Sequence, residues 1–539
     1  MNKSKAWLPF AFACVLAGGM FVGMKLNQPS ANPHSLLSFR TGQFNKINDV
    51  MNYISQEYVD TVNQKSLVEH TIDDILHNLD PHSAYIPAED LQAVNEPLEG
   101  NFDGIGIEFH IQEDTIMVVT ALSGGPSEQL GIMSGDRIVK IEGKNVAKIN
   151  INNNQVMQQL RGPSGSLVRI SIFRRGMPKL VDYTIKRGKI PIYSIDVAYM
   201  LNAKTGYIKV SHFGEKTYEE YLEAFDKLKA KGMENLIVDL RGNPGGYLKT
   251  AIQLADEFLP DKKLIVYTEG RSRPRENYFA TSTGSFEQGK LIMMVDEGSA
   301  SASEILAGAV QDWDRATIIG RRSFGKGLVQ EQSSFPDGSA IRLTIARYYT
   351  PTGRSIQKPY TEGYQAYENE LLNRYQSGQL SVTDSIHFAD SLKFKTPGGH
   401  IVYGGGGIMP DVFVPIDTTA NSEFYMQANG NGYITQFAYD YVDRNRQMLG
   451  RFSSFDAFRK TFFVDEAMYQ QFVDYTVKSG MKKEEAGAKK SSALIRLQLK
   501  ALIARQVWKN EGFYPVIQEN DKALEKALKL METNQVAAK

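Results

Sequence analysis

The 539 residues include a single cysteine, Cys14, which excludes an internal disulfide and any thiolate metal cluster. Histidine is scarce as well: the eight, at 34, 70, 77, 82, 110, 212, 387 and 400, form no HExxH pair. His70 and His77 can share one helix face, but a solvated helical surface accounts for them, so neither metal nor cofactor is expected. The chain also lacks an excess of charge. Lys+Arg and Asp+Glu both number 61 and the formal net charge is zero, which argues against nucleic acid as a partner held by bulk positive charge. What remains is an ordinary globular composition, 42% hydrophobic and 23% charged, with 10% aromatics that argue against long disorder. The length calls for three or four domains.

At the N-terminus, lysines 3, 5 and 25 enclose an uncharged span, Ala6 to Met24. As a helix it would be ~29 Å long, close to the ~30 Å hydrocarbon thickness of a bilayer. Lys3 and Lys5 favour a cytoplasmic N-terminus, which sends the remainder across the membrane. A cleaved signal peptide has a similar pattern, but no small-x-small site follows Met24, so an uncleaved anchor is expected. Cys14 is read as a membrane-buried residue. The protein is therefore expected on the periplasmic or extracytoplasmic side, held in the inner membrane by one helix.

Beyond this span the pattern is helical to about residue 95. Ile47, Met51, Ile54 and Tyr58 form one apolar face and Leu67, Ile72, Ile75 and Leu79 another, before "DPHSAYIP" breaks the run with two prolines. From Gly100 to Arg187 short strands and turns surround one or two helices. From Gly188 to Tyr349 strands and helices alternate, as in α/β domains. "TGYIKVSHF", "MENLIVDLRG", "LIMMVDE" and "RATIIG" are buried-strand candidates, and "TYEEYLEAFDKLKAKG" and "GYLKTAIQLADEFL" are the helices between them. Residues 359–397 read as a polar, irregular insertion, and "GGGGIMPDVFVPI" as a returning strand. The last hundred residues are helical. Ile495, Leu499, Leu502 and Ile503 make one apolar face, and Leu524, Leu528 and Met531 another, either of which could contact a neighbouring helix, a second copy or an accessory protein. The expected fold class is a multidomain α/β protein. Its segments are 1–30 (anchor and linker), 31–99 (helical), 100–187 (short strands plus helices), 188–425 (α/β core) and 426–539 (C-terminal helical region).

Residues 100–187 resemble a PDZ domain. "GIGI", Gly104 to Ile107, stands where that family has its carboxylate-binding loop, and "GDRIVKIEGKNV" matches its central segment. Glycines let successive N–H groups converge on a carboxylate, and the strand beyond can accept an added peptide strand. Ile105, Ile107 and Phe109 would then offer an apolar pocket for the last side chain of the ligand.

"VDEGSASASEILAGAVQDW" puts Ser299, Ser301 and Ser303 at a strand-to-helix turn, where several hydrolase folds expose a nucleophile. No histidine lies near it. A lysine can serve instead if its ammonium is destabilised. Lys326, between Gly325 and Gly327, is the candidate, with Gln330 placed to orient it or the serine. A phosphate-binding reading of this lysine fails for want of GxxxxGK[ST].

The ordered set "DLRGNPGG", "SASASEILAGAVQDW", "FGKGLVQ", "GRSIQ" and "GIMPDVFVP" resembles the carboxyl-terminal processing peptidases, or tail-specific proteases. The likeness covers about Tyr53 to Pro415. It implies Ser301 as nucleophile, Lys326 as base twenty-five residues downstream, and Gln330 as its support. It implies oxyanion donors at Ala302 and at Gly246, with Gly245 in reserve. Ser303 is expected to cap the helix beginning near Glu304. Asp312 is a catalytic support or a helix-end structural group; Asp239 and Arg241 are read as structural. The expected function is an exported serine endopeptidase acting on proteins with free C-terminal tails, the alternative a tail-binding adaptor without chemistry.

Overall fold

The computed structural model describes residues 46–382, 386 and 388–533. The span Ala6 to Met24, read as an anchor, lies outside the described residues. Among the described residues no helix is long and apolar enough to cross a membrane. The chain divides into two units at Ile72. In the first lie the helix Lys46–Glu57 and most of the helix Gln64–His77.

The second unit holds three substantial sheets. The central one orders its strands Ile195–Met200, Thr205–Val210, Asn235–Asp239, Leu291–Val295, Thr317–Gly320 and Val412–Phe413. Only the first pair is antiparallel. Strands covered on both faces need apolar residues at every position, which is why the four candidates read as continuous runs. On one face Leu236, Val238, Met293 and Ile318 pack with the helices Thr217–Ala230, Leu248–Asp256 and Ala302–Asp312. On the other, Tyr207, Ile237, Ile292, Met294 and Ile319 pack against Leu524, Ala527 and Met531 of the last helix, Lys522–Glu532.

A second sheet joins Ala84–Ile86, Leu264–Glu269, Glu276–Phe279 and Leu328–Ser334 around the long strand Ala340–Tyr349. This brings the segment after "DPHS" beside the one after "FGKG", although some 250 residues separate them. The third sheet is antiparallel, in the order Ile107–Gln112, Thr115–Ala121, Arg137–Ile141, Leu167–Phe173, Val181–Lys186. It surrounds a core of Ile105, Ile116, Val118, Ile138, Val156 and Ile170. Its helix Asn153–Leu160 starts at a capping box: Gln155 N donates to Asn152 Oδ1 at 3.0 Å and Asn152 N to Gln155 Oε1 at 3.0 Å.

One expectation is corrected. The insertion is not irregular: it carries the helices Tyr364–Glu368 and Glu370–Gln376 and the strand Lys393–Lys395, which pairs with Ile401–Tyr403. Its order comes from buried charge. Glu370 receives Arg322, Lys358 and Arg374, and Arg374 also donates to the carbonyls of Ser323 and Phe324. Of the alternatives for the C-terminal apolar faces, packing within the chain is the one seen: Ile495, Leu499 and Ile503 are buried among neighbouring helices, and Leu524 and Met531 on the rear of the central sheet.

Candidate functional site

The strand Leu291–Val295 is buried throughout, and the chain leaves it through a tight turn into the helix Ala302–Asp312. Asp296 holds that turn, its Oδ1 accepting from Gly242 N at 2.7 Å and Gly298 N at 3.0 Å. Ser299 Oγ donates to Leu240 O at 2.8 Å and Ser303 Oγ to Asn243 O at 3.0 Å, so both neighbours of Ser301 are committed to backbone carbonyls. Ser301 is different. It sits at φ 54° and ψ −112°, a conformation L-residues rarely hold, at a cost of about 1–3 kcal/mol. It alone of the three lines an open cleft of about 1220 Å³. The expected cap is thereby corrected. The helix begins one residue after Ser301, which takes the N-cap position, while Ser303 lies inside the first turn.

Lys326 and Gln330 line the same cleft, as do Gly245 and Gly246. Lys326 Nζ donates to Gln330 Oε1 at 2.9 Å, and Gln330 Nε2 donates to the carbonyl of His82. Nζ makes no hydrogen bond to Ser301 Oγ here, so the two groups share a space without a direct contact. The glycines around the lysine are needed for close approach. A Cβ on Gly325 would meet Gly407 N at 3.1 Å, and one on Gly327 would meet Gln357 N at 2.9 Å. Burial, then the Arg342 guanidinium, lowers the Lys326 amine to about 8, with Asp80 and Glu304 pulling the other way. Arg342 lies opposite Gln332 on the face of the sheet that pairs Thr344 with Gln330, and its guanidinium donates to Gln332 Oε1 at 2.9 Å.

Sequence reasoning missed the groups that fasten serine and lysine together. Glu304, fully buried, accepts from Ser301 N at 2.9 Å, Gly325 N at 2.7 Å, Lys326 N at 2.8 Å and Ser323 Oγ. Burial pushes its carboxyl up to about 7 against these donors. On the carbonyl side the Tyr348 hydroxyl bonds Ser301 O at 3.1 Å and Lys326 O. The only sequence signal was the serine–glutamate spacing of a capping box. His82 was also missed. Its ring meets Tyr367 OH at 2.7 Å, and burial followed by the Lys326 charge lowers it to about 3, so it is neutral near pH 7. Asp80 orders this turn by accepting from His82 N and Ser83 N, both at 2.9 Å, and from Thr344 Oγ1 at 3.1 Å.

Gly245 and Gly246 run beside the Ser301 turn. A Cβ on Gly245 would lie 2.7 Å from Ser301 Cβ and 2.9 Å from Ala302 N; one on Gly246 would fall 2.0 Å from Phe213 O. Gly245 N is engaged by Asn243 Oδ1 at 2.9 Å. Asp312 lies outside the cleft lining. It is fully buried, pairs with Arg354 at 2.7 Å and accepts from Thr352 N at 2.9 Å, a structural arrangement. Asp239 and Arg241 pair with each other at 2.6 Å.

The second candidate region is the glycine turn. Gly104 ends a short strand, Gly106 has φ 75°, and Ile107 opens the edge strand Ile107–Gln112. A Cβ at Gly106 would lie 2.9 Å from Ile190 Cδ1 and 3.2 Å from Gly125 Cα. Ile105 belongs to the domain core at 2% exposure, which leaves Ile107 and Phe109 to present apolar surface.

Residues 204–363 match the family model described as peptidase family S41, and residues 13–90 the one described as the activating protease CtpB N-terminal domain. Residues 424–509 match a family of unknown function. The chain is similar to the carboxy-terminal-processing protease of Bartonella bacilliformis, 36% identical over 345 residues, or 61% of this chain and 78% of that one. It is also similar to the carboxy-terminal processing protease CtpB of Bacillus subtilis, 34% identical over 354 residues, 65% of this chain and 73% of that one. Among solved structures, a photosystem II D1 C-terminal processing protease aligns at 25% identity and a TM-score of 0.37, covering 70% of this chain and 88% of that one.

Proposed function

This chain belongs to the carboxy-terminal processing proteases, serine-type peptidases of family S41, and on that premise we propose that it cleaves protein substrates by a serine–lysine mechanism. Neutral Lys326 accepts the Ser301 Oγ proton as Oγ attacks the scissile carbonyl. The N–H groups of Ala302 and Gly246 receive the oxyanion. Gly246 is preferred over Gly245 because the Gly245 N–H is already donated to Asn243. Collapse expels the amine, which takes the proton from Lys326, and leaves an acyl ester on Oγ. Water then attacks the ester while Lys326 accepts its proton; the acyl carbon–Oγ bond breaks, Oγ takes that proton back from Lys326, and the acid departs. Gln330 keeps the amine directed into the cleft between these steps. The missing Ser301–Lys326 contact is in keeping with catalytic hydrogen bonds that tighten once substrate is bound.

The observation that carries this reading is that Ser301 and the Lys326–Gln330 pair open on one cleft, with their backbones fastened by Glu304 and Tyr348. Ser301→Ala and Lys326→Ala should each abolish turnover, and no more should be lost in the double variant, because members of a catalytic unit fail together. Turnover surviving in folded Ser301→Ala would overturn the serine–lysine mechanism, whereas an unaltered chain without turnover on any tail-bearing protein would leave the adaptor alternative.

Residues 100–187 are assigned as a PDZ domain that binds the substrate's C-terminal carboxylate at the N–H groups of Ile105, Gly106 and Ile107. The left-handed Gly106 and the edge position of Ile107–Gln112 support this. Amidating the tail should slow cleavage below saturation; equal rates for acid and amide would remove tail recognition but leave the chemistry. The work is assigned to the extracytoplasmic side, with Ala6–Met24 as the anchor. Retention in the membrane fraction through high-salt and high-pH washes would agree, and a soluble mature chain starting after Met24 would not.

A further inference from the structure

The C-terminal residues 424–533 sit between two bodies that the proposed function requires to work together. One body is the antiparallel domain. The strand Thr115–Ala121 turns Ile116 and Val118 into its own core and Met117 and Val119 outward. The outward pair is buried, in one apolar cluster with Phe437, Tyr439, Leu499 and Ile503 of the helical region. Charges surround this contact. Asp443, at 1% side-chain exposure, meets Arg137 of the domain at 3.3 Å as well as Arg446 of its own helix at 3.1 Å. Arg505 pairs with Glu108 on the edge strand at 3.2 Å, Gln506 meets Ser134, and Lys509 pairs with Glu128 at 2.9 Å.

The other body is the peptidase core, which the same long helix, Ser492–Ile517, reaches next. Asn510 Nδ2 donates to Asp196 O at 3.0 Å, Tyr514 bonds the Asp196 carboxylate, and Gln518 donates to Tyr207 OH at 2.6 Å. Asp521 pairs with Arg241 at 2.7 Å, and the last helix lies on the rear of the central sheet. The helix breaks between the two sets of contacts, Trp508 at φ −119° and Lys509 at φ 53°, ψ −144°. Arg505, Gln506 and Lys509 touch the antiparallel domain, and Asn510, Tyr514 and Gln518 touch the core. Lys509 itself also reaches Ser123, in the loop whose Leu122 N donates to Gly106 O, directly behind the glycine turn.

We propose that residues 424–533 are an internal strut that fixes the tail-binding domain to the peptidase core through the break at Trp508–Lys509. The inference rests on the peptidase reading given above. Its consequence is geometric: a captured tail is held at a constant distance from Ser301, which raises the effective concentration of the upstream bond in the cleft.

The test uses the full chain and the variant Asp443→Ala, which leaves Arg137 without its buried carboxylate, together with a second variant in which Ser134→Cys and Gln506→Cys are bridged by a short bis-maleimide in a Cys14→Ser background. Asp443→Ala should speed hydrogen exchange in Thr115–Ala121, Arg137–Ile141 and Tyr433–Leu449. It should lower kcat/KM on a tail-bearing protein by roughly tenfold, while hydrolysis of a short peptide that engages only the cleft stays within about twofold, the size of effect expected where effective concentration no longer contributes. The bridged chain should keep its tail-dependent rate. Loss of that rate on bridging would show that the contact must open in each turnover and would overturn the strut. So would Asp443→Ala leaving exchange and substrate preference unchanged. If the unaltered chain hydrolysed neither substrate, the peptidase reading would fall, and hydrogen exchange would still decide the strut.

Discussion

A lysine accepts a proton only while it is neutral, and in this site burial and the nearby Arg342 guanidinium both shift Lys326 towards that state. With the amine lowered to about 8, the ammonium dominates below that pH. kcat/KM should therefore fall about tenfold per unit on the acid side and level off above. Arg342→Gln removes the second cause, so the midpoint of the profile should move upward, costing rate near pH 7 while the two proteins converge near pH 10. An unshifted midpoint would remove Arg342 from the account. Lys326→Arg keeps a charge that does not leave near neutrality and should be inactive throughout. Gly245→Ala tests the other wall of the cleft. Its Cβ would lie 2.7 Å from Ser301 Cβ at a backbone φ of 100°, so kcat should drop about 10²–10³-fold with the circular dichroism spectrum retained. Full activity there would mean that the glycine turn stands clear of the nucleophile. At this scale the residues assigned to the reaction can be picked out from the sequence, because each sits in a long ordered motif. Glu304 and Tyr348 are not, since they touch backbone 22 and 47 residues away, and neither is His82, whose own carbonyl receives the Gln330 amide from 248 residues away.

Elements are legible where local pattern and burial agree. The four buried strands read as apolar runs because helices cover both faces of the central sheet, and the helix Asn153–Leu160 announces itself by its capping residues. The insertion has neither signal. Its helices form because Glu370 gathers three cations, two of them nearly devoid of solvent, Lys358 at 4% and Arg374 at 2% side-chain exposure. Lys358 also lies 4.0 Å from the Phe324 ring centroid and 3.9 Å from that of Tyr367, which ties the insertion to the segment leading into Lys326. Glu370→Ala leaves these cations uncompensated. It should cost about 2–3 kcal/mol, somewhat below the ~3–5 kcal/mol of a fully buried broken pair because Glu370 is itself partly solvated. Urea unfolding measures the loss, and limited proteolysis should locate new cleavage between residues 360 and 380. A stability unchanged within error would mean that apolar packing alone orders the insertion.

For the molecule as a whole, the C-terminal region decides whether the central sheet can exist as a two-sided layer. The sequence pattern announces apolar helix faces there but not their destination, because a helix face reads the same whether it meets a helix, a sheet or a second protein. Ending the chain at Asp417 would uncover Val197, Tyr207, Ile237, Ile292, Met294 and Ile319 on the rear of the sheet, and Met117 and Val119 on the antiparallel domain. At about 1.5–3 kcal/mol for each large apolar side chain returned to water, the sum reaches or passes the ~5–15 kcal/mol that holds an ordinary domain folded. The truncated chain should therefore be recovered insoluble or without a cooperative thermal transition, even though every residue assigned to catalysis is retained. A shorter truncation, after Asn520, removes only the last helix and the Asp521–Arg241 pair. It exposes the same rear face of the central sheet, so the core's cooperative transition should be lost or strongly lowered here as well, while the antiparallel domain, which keeps its cover, should lose less than in the chain ending at Asp417. Should the chain ending at Asp417 prove soluble, cooperative and active, the rear of the central sheet would have to be covered by something other than these helices.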